Sequence, residues 1–152
     1  MNNTSDRAMA DSHLTSSLSD VRVIELPRHY HLNGSLTEVE NGGKYPFEVR
    51  RVYYLYDVPA DSERGGHSHI EANSLIIAVA GAFNVELDDG VSRKRWSLDR
   101  PYKALYVPAG LWRVIDGFTS GSVCLVLTST EFSEEDYVRD YDEFLKLTAH
   151  KR

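Results

Sequence analysis

From Val21 onward the chain carries short runs of β-branched and aromatic residues, broken by Gly, Pro, Asn and Asp at intervals of about ten residues, the spacing of sandwiches and barrels. The runs Val21–Leu26, Ser35–Glu40, Val49–Asp57, His67–His69, Ser74–Ala80, Ala82–Leu87, Arg93–Leu98, Ala104–Val107, Trp112–Ile115 and Val123–Ser129 are the predicted strands. Between two of them Asp88-Asp89-Gly90 predicts a tight hairpin turn, and Asn33-Gly34, Asn41-Gly42-Gly43, Pro108-Ala109-Gly110 and Asp116-Gly117 mark further breaks. In the run Ala82–Leu87, Phe83, Val85 and Leu87 alternate with Ala82, Asn84 and Glu86, which places one face in a core and the other toward water. Helical periodicity is nearly absent until the tail. There Ser133-Glu134-Glu135-Asp136 predicts the start of a short helix, with acids at its positive end. Tyr141, Phe144, Leu145 and Leu147 then supply an apolar helix face to cover the barrel. The expected fold class is all-β, a β-barrel or jelly roll with a short C-terminal helix.

With 152 residues the chain has room for one domain. Residues 1–20, rich in Ser, Asn, Asp and Thr, read as a flexible polar head, and residues 21–152 as the domain. No apolar run approaches the roughly 20 residues that cross a bilayer, and the head lacks a secretory h-region. The one cysteine, Cys124, sits among Val123, Leu125, Val126 and Leu127 and reads as part of a buried strand. A soluble, cytoplasmic protein with no membrane partner is expected. A net charge of −6 argues against nucleic acid as a partner. A small anion remains compatible if some of Arg50, Arg51, Arg64, Arg93, Arg95 and Arg113 converge; singly, each fits a solvated strand face.

The chemistry concentrates in Arg64-Gly65-Gly66-His67-Ser68-His69. Histidines at i and i+2 on a strand share a face, and inside a barrel a pair of imidazoles can ligate a metal or pass protons. This segment resembles the first motif of the cupin superfamily, with Asn73 at the glutamate position; Pro108-Ala109-Gly110-Leu111-Trp112-Arg113 resembles the second, with Arg113 at the histidine position. Arginine has no lone pair to offer a cation and an amide is a weak ligand, so no metal is expected. Glu71, two residues beyond His69, is the alternative ligand.

Across Val21–Leu147 the chain is also similar to the sugar 3,4-ketoisomerases. The resemblance runs through Asn33-Gly34-Ser35-Leu36, Pro46-Phe47, Arg51-Val52-Tyr53-Tyr54, Arg64–His69, Leu105-Tyr106-Val107-Pro108, Ser122–Leu127 and Tyr137–Phe144 in that order. It implies a cupin barrel acting on thymidine-diphosphate 4-keto-6-deoxyglucose without a cofactor, moving the carbonyl from C4 to C3 through an enediol, in deoxysugar or aminosugar synthesis. By the same resemblance His67 is the C3 base, with Tyr53 and His69 orienting it or shuttling protons. Arg51 contacts an oxyanion or the diphosphate, and a register slip of one would put Tyr54 in place of Tyr53. Arg64, Arg95, Arg113 and Asn73 are further candidates for substrate binding. Trp112 either stacks on the base or plugs the barrel end, and Tyr106 is either core or pocket. The chain departs from the family pattern at His31-Leu32-Asn33 and at Asn73-Ser74. A nucleotide-sugar epimerase, a non-catalytic binding module and a metal-dependent dioxygenase are the rival readings. A homodimer is expected by analogy of fold, with the apolar edge Val21–Leu26 as its candidate contact.

Overall fold

The computed structural model describes residues 13–152. Two five-stranded antiparallel sheets form a sandwich. The first has the order β1 (Arg22–Glu25), β9 (Lys103–Val107), β6 (Ser74–Ala80), β11 (Val123–Thr128), β4 (Arg51–Leu55). The second has β12 (Tyr137–Val138), β5 (Arg64–His69), β10 (Trp112–Asp116), β7 (Phe83–Asp88), β8 (Arg93–Leu98). A separate hairpin, β2 (Arg28–His31) with β3 (Gly34–Thr37), pairs only with itself. The one α-helix among the described residues, α1 (Tyr141–Leu147), begins at Asp140, whose carboxylate accepts the Glu143 N–H at 2.9 Å.

The main core lies between the sheets: Ile76 and Ala78 of β6, Phe83, Val85 and Leu87 of β7, and Cys124 and Val126 of β11 are all buried in it. The period-two reading of β7 holds, since Asn84 and Glu86 are partly exposed. Strand β6 has no such alternation because both its faces are covered. Leu75 and Ile77 point to the outer side, where they join Ile24, Leu26, Tyr45, Ala104 and Leu127 in a second cluster. A strand buried on both faces reads as a continuous apolar run.

Three differences from the sequence expectation have physical causes. Strand β2 has no apolar alternation, since Arg28-His29-Tyr30-His31 is wholly exposed, so nothing in its pattern announces it. The acidic segment forms only a 3₁₀ turn at Glu134–Asp136 and then straightens into β12, because the Asp136 carboxylate and carbonyl are taken by the N–H groups of Glu71, Ala72 and Ile70. Of the head, residues 1–12 lie outside the described residues. From His13 the chain is not a free polar arm but is packed: Leu14 is buried with Val138 and Phe144, and its N–H donates to the Leu147 carbonyl at 3.1 Å.

Helix α1 packs on β12 and β5 and holds the segment at Leu14 against Val138. Phe144→Ala, which empties a fully buried ring position, is expected to destabilise the fold by about 3–5 kcal/mol, read from denaturant midpoints.

Candidate active site

Strand β4 is an edge strand of the first sheet, and its alternation decides what the site contains. Arg51, Tyr53 and Leu55 are half-buried, whereas Val52 and Tyr54 face solvent. The inward tyrosine is thus Tyr53. Opposite, on β5, His67 and His69 share a face and are 8% and 1% exposed. β5 passes so close to β10 that a Cβ on Gly65 would meet the Arg113 carbonyl oxygen at 2.9 Å; Gly65 also has φ +88°, which glycine adopts without strain. The β5–β10 register shifts between Arg113 and Val114, a bulge that re-aims the strand at this point.

A cavity of about 510 Å³ opens between the sheets, lined by Arg51, Tyr53, Arg64, His67, Arg113 and Tyr137 among others, with Phe132, Glu63 and Arg139 at its mouth. That volume suits a small-molecule site. Four arginines against one carboxylate among its lining residues favour an anion. Arg51 lies over the rings of Tyr53 (4.9 Å) and Phe132 (5.2 Å), and its Nη2 donates to the Tyr137 hydroxyl at 3.2 Å.

Arg113 is 1% exposed. Its Nη1 donates to Ser74 Oγ at 3.2 Å, while Nε and Nη2 have no partner, and among the described residues it makes no ion pair. Burial pushes its pKa down, although arginine stays charged at any working pH. Burial, with Arg113 beside it, pushes His67 down to about 3, so its imidazole is neutral and its buried Nε2 is unpartnered. Burial raises the Tyr53 phenol, against the opposing pull of Arg113, and keeps it a proton donor.

His69 does not reach the cavity. It lies behind His67 and Tyr137, at ring-centroid distances of 4.8 and 4.5 Å, and its Nδ1 bonds Asp136 Oδ2 at 2.8 Å. Burial lowers its pKa although the Asp136 bond pulls the other way.

Three expected binding residues lie elsewhere. Arg95 is on the exposed side of β8, paired with Asp116 (3.1 Å) and Glu86 (3.4 Å). Trp112 neighbours Arg113 and therefore points out of the sandwich, packing on Tyr141 and Phe144 at 5.2 and 5.7 Å at the helix-covered end, away from the cavity. Asn73 is used by the backbone, its Oδ1 accepting the Ala109 N–H at 2.9 Å, and it does not line the cavity. Tyr106 packs on the outer cluster, away from the cavity, and Glu71 is exposed. Tyr137, Phe132, Arg139 and Asp136 were not legible from residue patterns; the one sequence signal was the Tyr137–Phe144 string within the family resemblance.

A family profile described as "FdtA: WxcM-like, C-terminal" matches residues 19–149. The TDP-4-oxo-6-deoxy-alpha-D-glucose-3,4-oxoisomerase of Aneurinibacillus thermoaerophilus is 35% identical over 128 residues, covering 84% of this chain and 92% of the relative. A solved 3,4-ketoisomerase from Helicobacter canadensis is 37% identical with a TM-score of 0.81, over 84% of this chain and 96% of that one. A mutant of the 3,4-ketoisomerase QdtA from Thermoanaerobacterium thermosaccharolyticum, in complex with TDP-4-keto-6-deoxyglucose, is 32% identical with a TM-score of 0.86, over 89% and 98%. The chain belongs to the FdtA family.

Because the folded-state pKa values of His67 and His69 are depressed, the unfolded chain binds more protons than the folded one below the ordinary histidine value of 6.5. Above pH 6.5 their burial carries no protonation penalty, and stability is lost progressively as pH falls from there toward about 3. Urea midpoints measured across that range should fall with acid, and His67→Asn should flatten part of the slope.

Proposed function

We propose that this member of the FdtA family binds TDP-4-keto-6-deoxyglucose in the cavity between its sheets and converts it to the 3-keto isomer, with His67 as the base. The chain is a sugar-nucleotide 3,4-ketoisomerase. The observation that carries the assignment of roles is the pairing of a neutral, unpartnered His67 Nε2 with a buried Arg113 guanidinium whose Nε and Nη2 are free, on adjacent strands of one cavity.

Isomerisation removes the C3 proton, moves a proton from O3 to O4, and delivers a proton to C4. C3 is oxidised and C4 is reduced within one molecule, so the electrons balance without an external acceptor. His67 Nε2 takes the C3 proton, and the electron pair of that bond forms the C3–C4 double bond as charge moves onto O4. Arg113, held in a water-poor site with its Nε and Nη2 free, stabilises that developing oxyanion. Tyr53, kept protonated by burial, gives a proton to C4 and takes one from O3, and His67 passes its proton to O4, so that both residues end as they began. Arg51 holds the Tyr137 hydroxyl against the cavity, and Arg64 and Arg139 at the mouth meet the diphosphate, for which the guanidinium fork is matched.

The same reading includes a homodimer. Val52 and Tyr54 of β4, Tyr56 just beyond it, Val79 of β6, and Tyr30 and Leu36 of the β2–β3 hairpin are exposed apolar side chains, and Val79 also lines a groove of about 620 Å³ with Leu26, Val39, Ile77 and Leu125. A second copy covering that face would bury them. No described helix is long and apolar enough to cross a membrane. A cytoplasmic setting is consistent with a lone buried thiol that burial pushes up to about 12 and so leaves unreactive.

Proton NMR of TDP-4-keto-6-deoxyglucose with the protein in deuterated buffer tests the reaction. A 3-keto product labelled at C4 is expected. Exchange at C3 or C5 with the ketone still at C4 would instead make the protein an epimerase. His67→Asn should lower kcat by about 10²–10⁴-fold, and Arg113→Gln by about 10²–10³-fold, with TDP binding retained. Full activity in His67→Asn removes the base assignment. Light scattering behind size-exclusion chromatography should give the mass of two chains, and a single-chain mass would overturn the dimer.

A further inference from the structure

Asp136 lies outside the cavity, with its side chain only 10% exposed, and three donors converge on its carboxylate. They are His69 Nδ1 at 2.8 Å, the Glu71 N–H at 2.6 Å and the Ala72 N–H at 3.3 Å. Burial works to raise its pKa, but the His69 and backbone bonds outweigh it, so the carboxylate is ionised and accepts all three. A carboxylate on Nδ1 requires a proton there. His69, whose own pKa burial depresses, carries one proton, and that leaves its enclosed Nε2 as a bare, unpartnered acceptor.

The charges around this pair give it a purpose. His67 already faces Arg113, with Arg139 also repelling any positive charge on it, and on taking the C3 proton it becomes one more cation among them. Glu63 stands at the solvent-facing mouth; Asp136 is the carboxylate packed behind the two histidines. The His69 ring stands edge-on to His67, at 87° and 4.8 Å between centroids, and packs at 4.5 Å against Tyr137, which itself lies 4.9 Å from His67.

We infer that Asp136 is a positioning residue for the proton transfer: it fixes His69 as the neutral Nδ1–H tautomer, whose oriented ring supports His67 and Tyr137 and offsets the charge that forms on His67. This rests on the reading of His67 as the base. Asp136→Asn is nearly the same size but uncharged, and its amide can donate to Nδ1, which admits the Nε2–H tautomer. In proton-transfer sites an Asp-to-Asn change that leaves the histidine in the wrong tautomer costs up to about 10⁴ in kcat.

Two readouts separate positioning from a structural role. Long-range ¹H–¹⁵N correlation of the wild-type protein should show His69 protonated at Nδ1 alone at neutral pH, and Asp136→Asn should gain the Nε2–H form. In Asp136→Asn, kcat should fall about 10²–10⁴-fold while KM and TDP affinity stay near wild type. Wild-type His69 protonated at Nε2 overturns the inference without any variant. So does a folded Asp136→Asn with wild-type kcat, or one that loses TDP binding along with activity. A fully active His67→Asn would remove the base assignment on its own, leaving the His69 tautomer as measured.

Discussion

A guanidinium removed from water is costly unless something compensates it, and Arg113 is buried with a single hydroxyl bond and no ion-pair partner among the described residues. Everything around the cavity is arranged about this cation. Burial, and then this cation, depress the neighbouring imidazoles, so that His67 is neutral. The cation pulls against burial at Tyr53 and Cys124. Two of its donor nitrogens are left free inside the cavity, where an oxyanion can take them. The stability that burying this cation costs is matched by the binding energy it offers a negatively charged transition state.

The scaffold makes this affordable by placing the site at the open side of the sandwich, while the apolar core fills the rest. Edge strand β4 contributes alternate side chains from one sheet, and β5 and β10 contribute theirs from the other. The close β5–β10 approach at Gly65 and the adjacent bulge bring Arg113 beside His67. The short β12, pinned to β5 and covered by α1, then closes one wall with Tyr137 and anchors Asp136 behind the histidines. The cavity-facing groups of β5 and β10 thus rest on strands paired on both sides, which fixes their rotamers.

The pairing of roles along β5 shows how far strand alternation carries. His67 and His69 do share a face, but the face is deep enough for only the first to meet the cavity; the second is covered by Tyr137. On β10 the same period places Arg113 inside and Trp112 outside, which is why the residue next to the site belongs to the helix-covered cluster instead. Arg95 obeys the alternation of an exposed strand and satisfies its charge locally.

The sequence alone determined what depends on near neighbours. Period-two alternation, turn residues and the spacing of His67 with His69 and of Arg51 with Tyr53 set most strands and which residues share a face, and the family resemblance assigned the chemistry. Tertiary structure decided which face meets the cavity, because that depends on strand pairings between residues distant in sequence. His69 and Asp136 are separated by 67 positions and Arg51 and Tyr137 by 86, and no local period encodes such contacts. The acidic run at 133–136 reads locally as a helix start. It becomes a turn and a strand because the N–H groups of residues 70–72 claim Asp136 more strongly than a helix would.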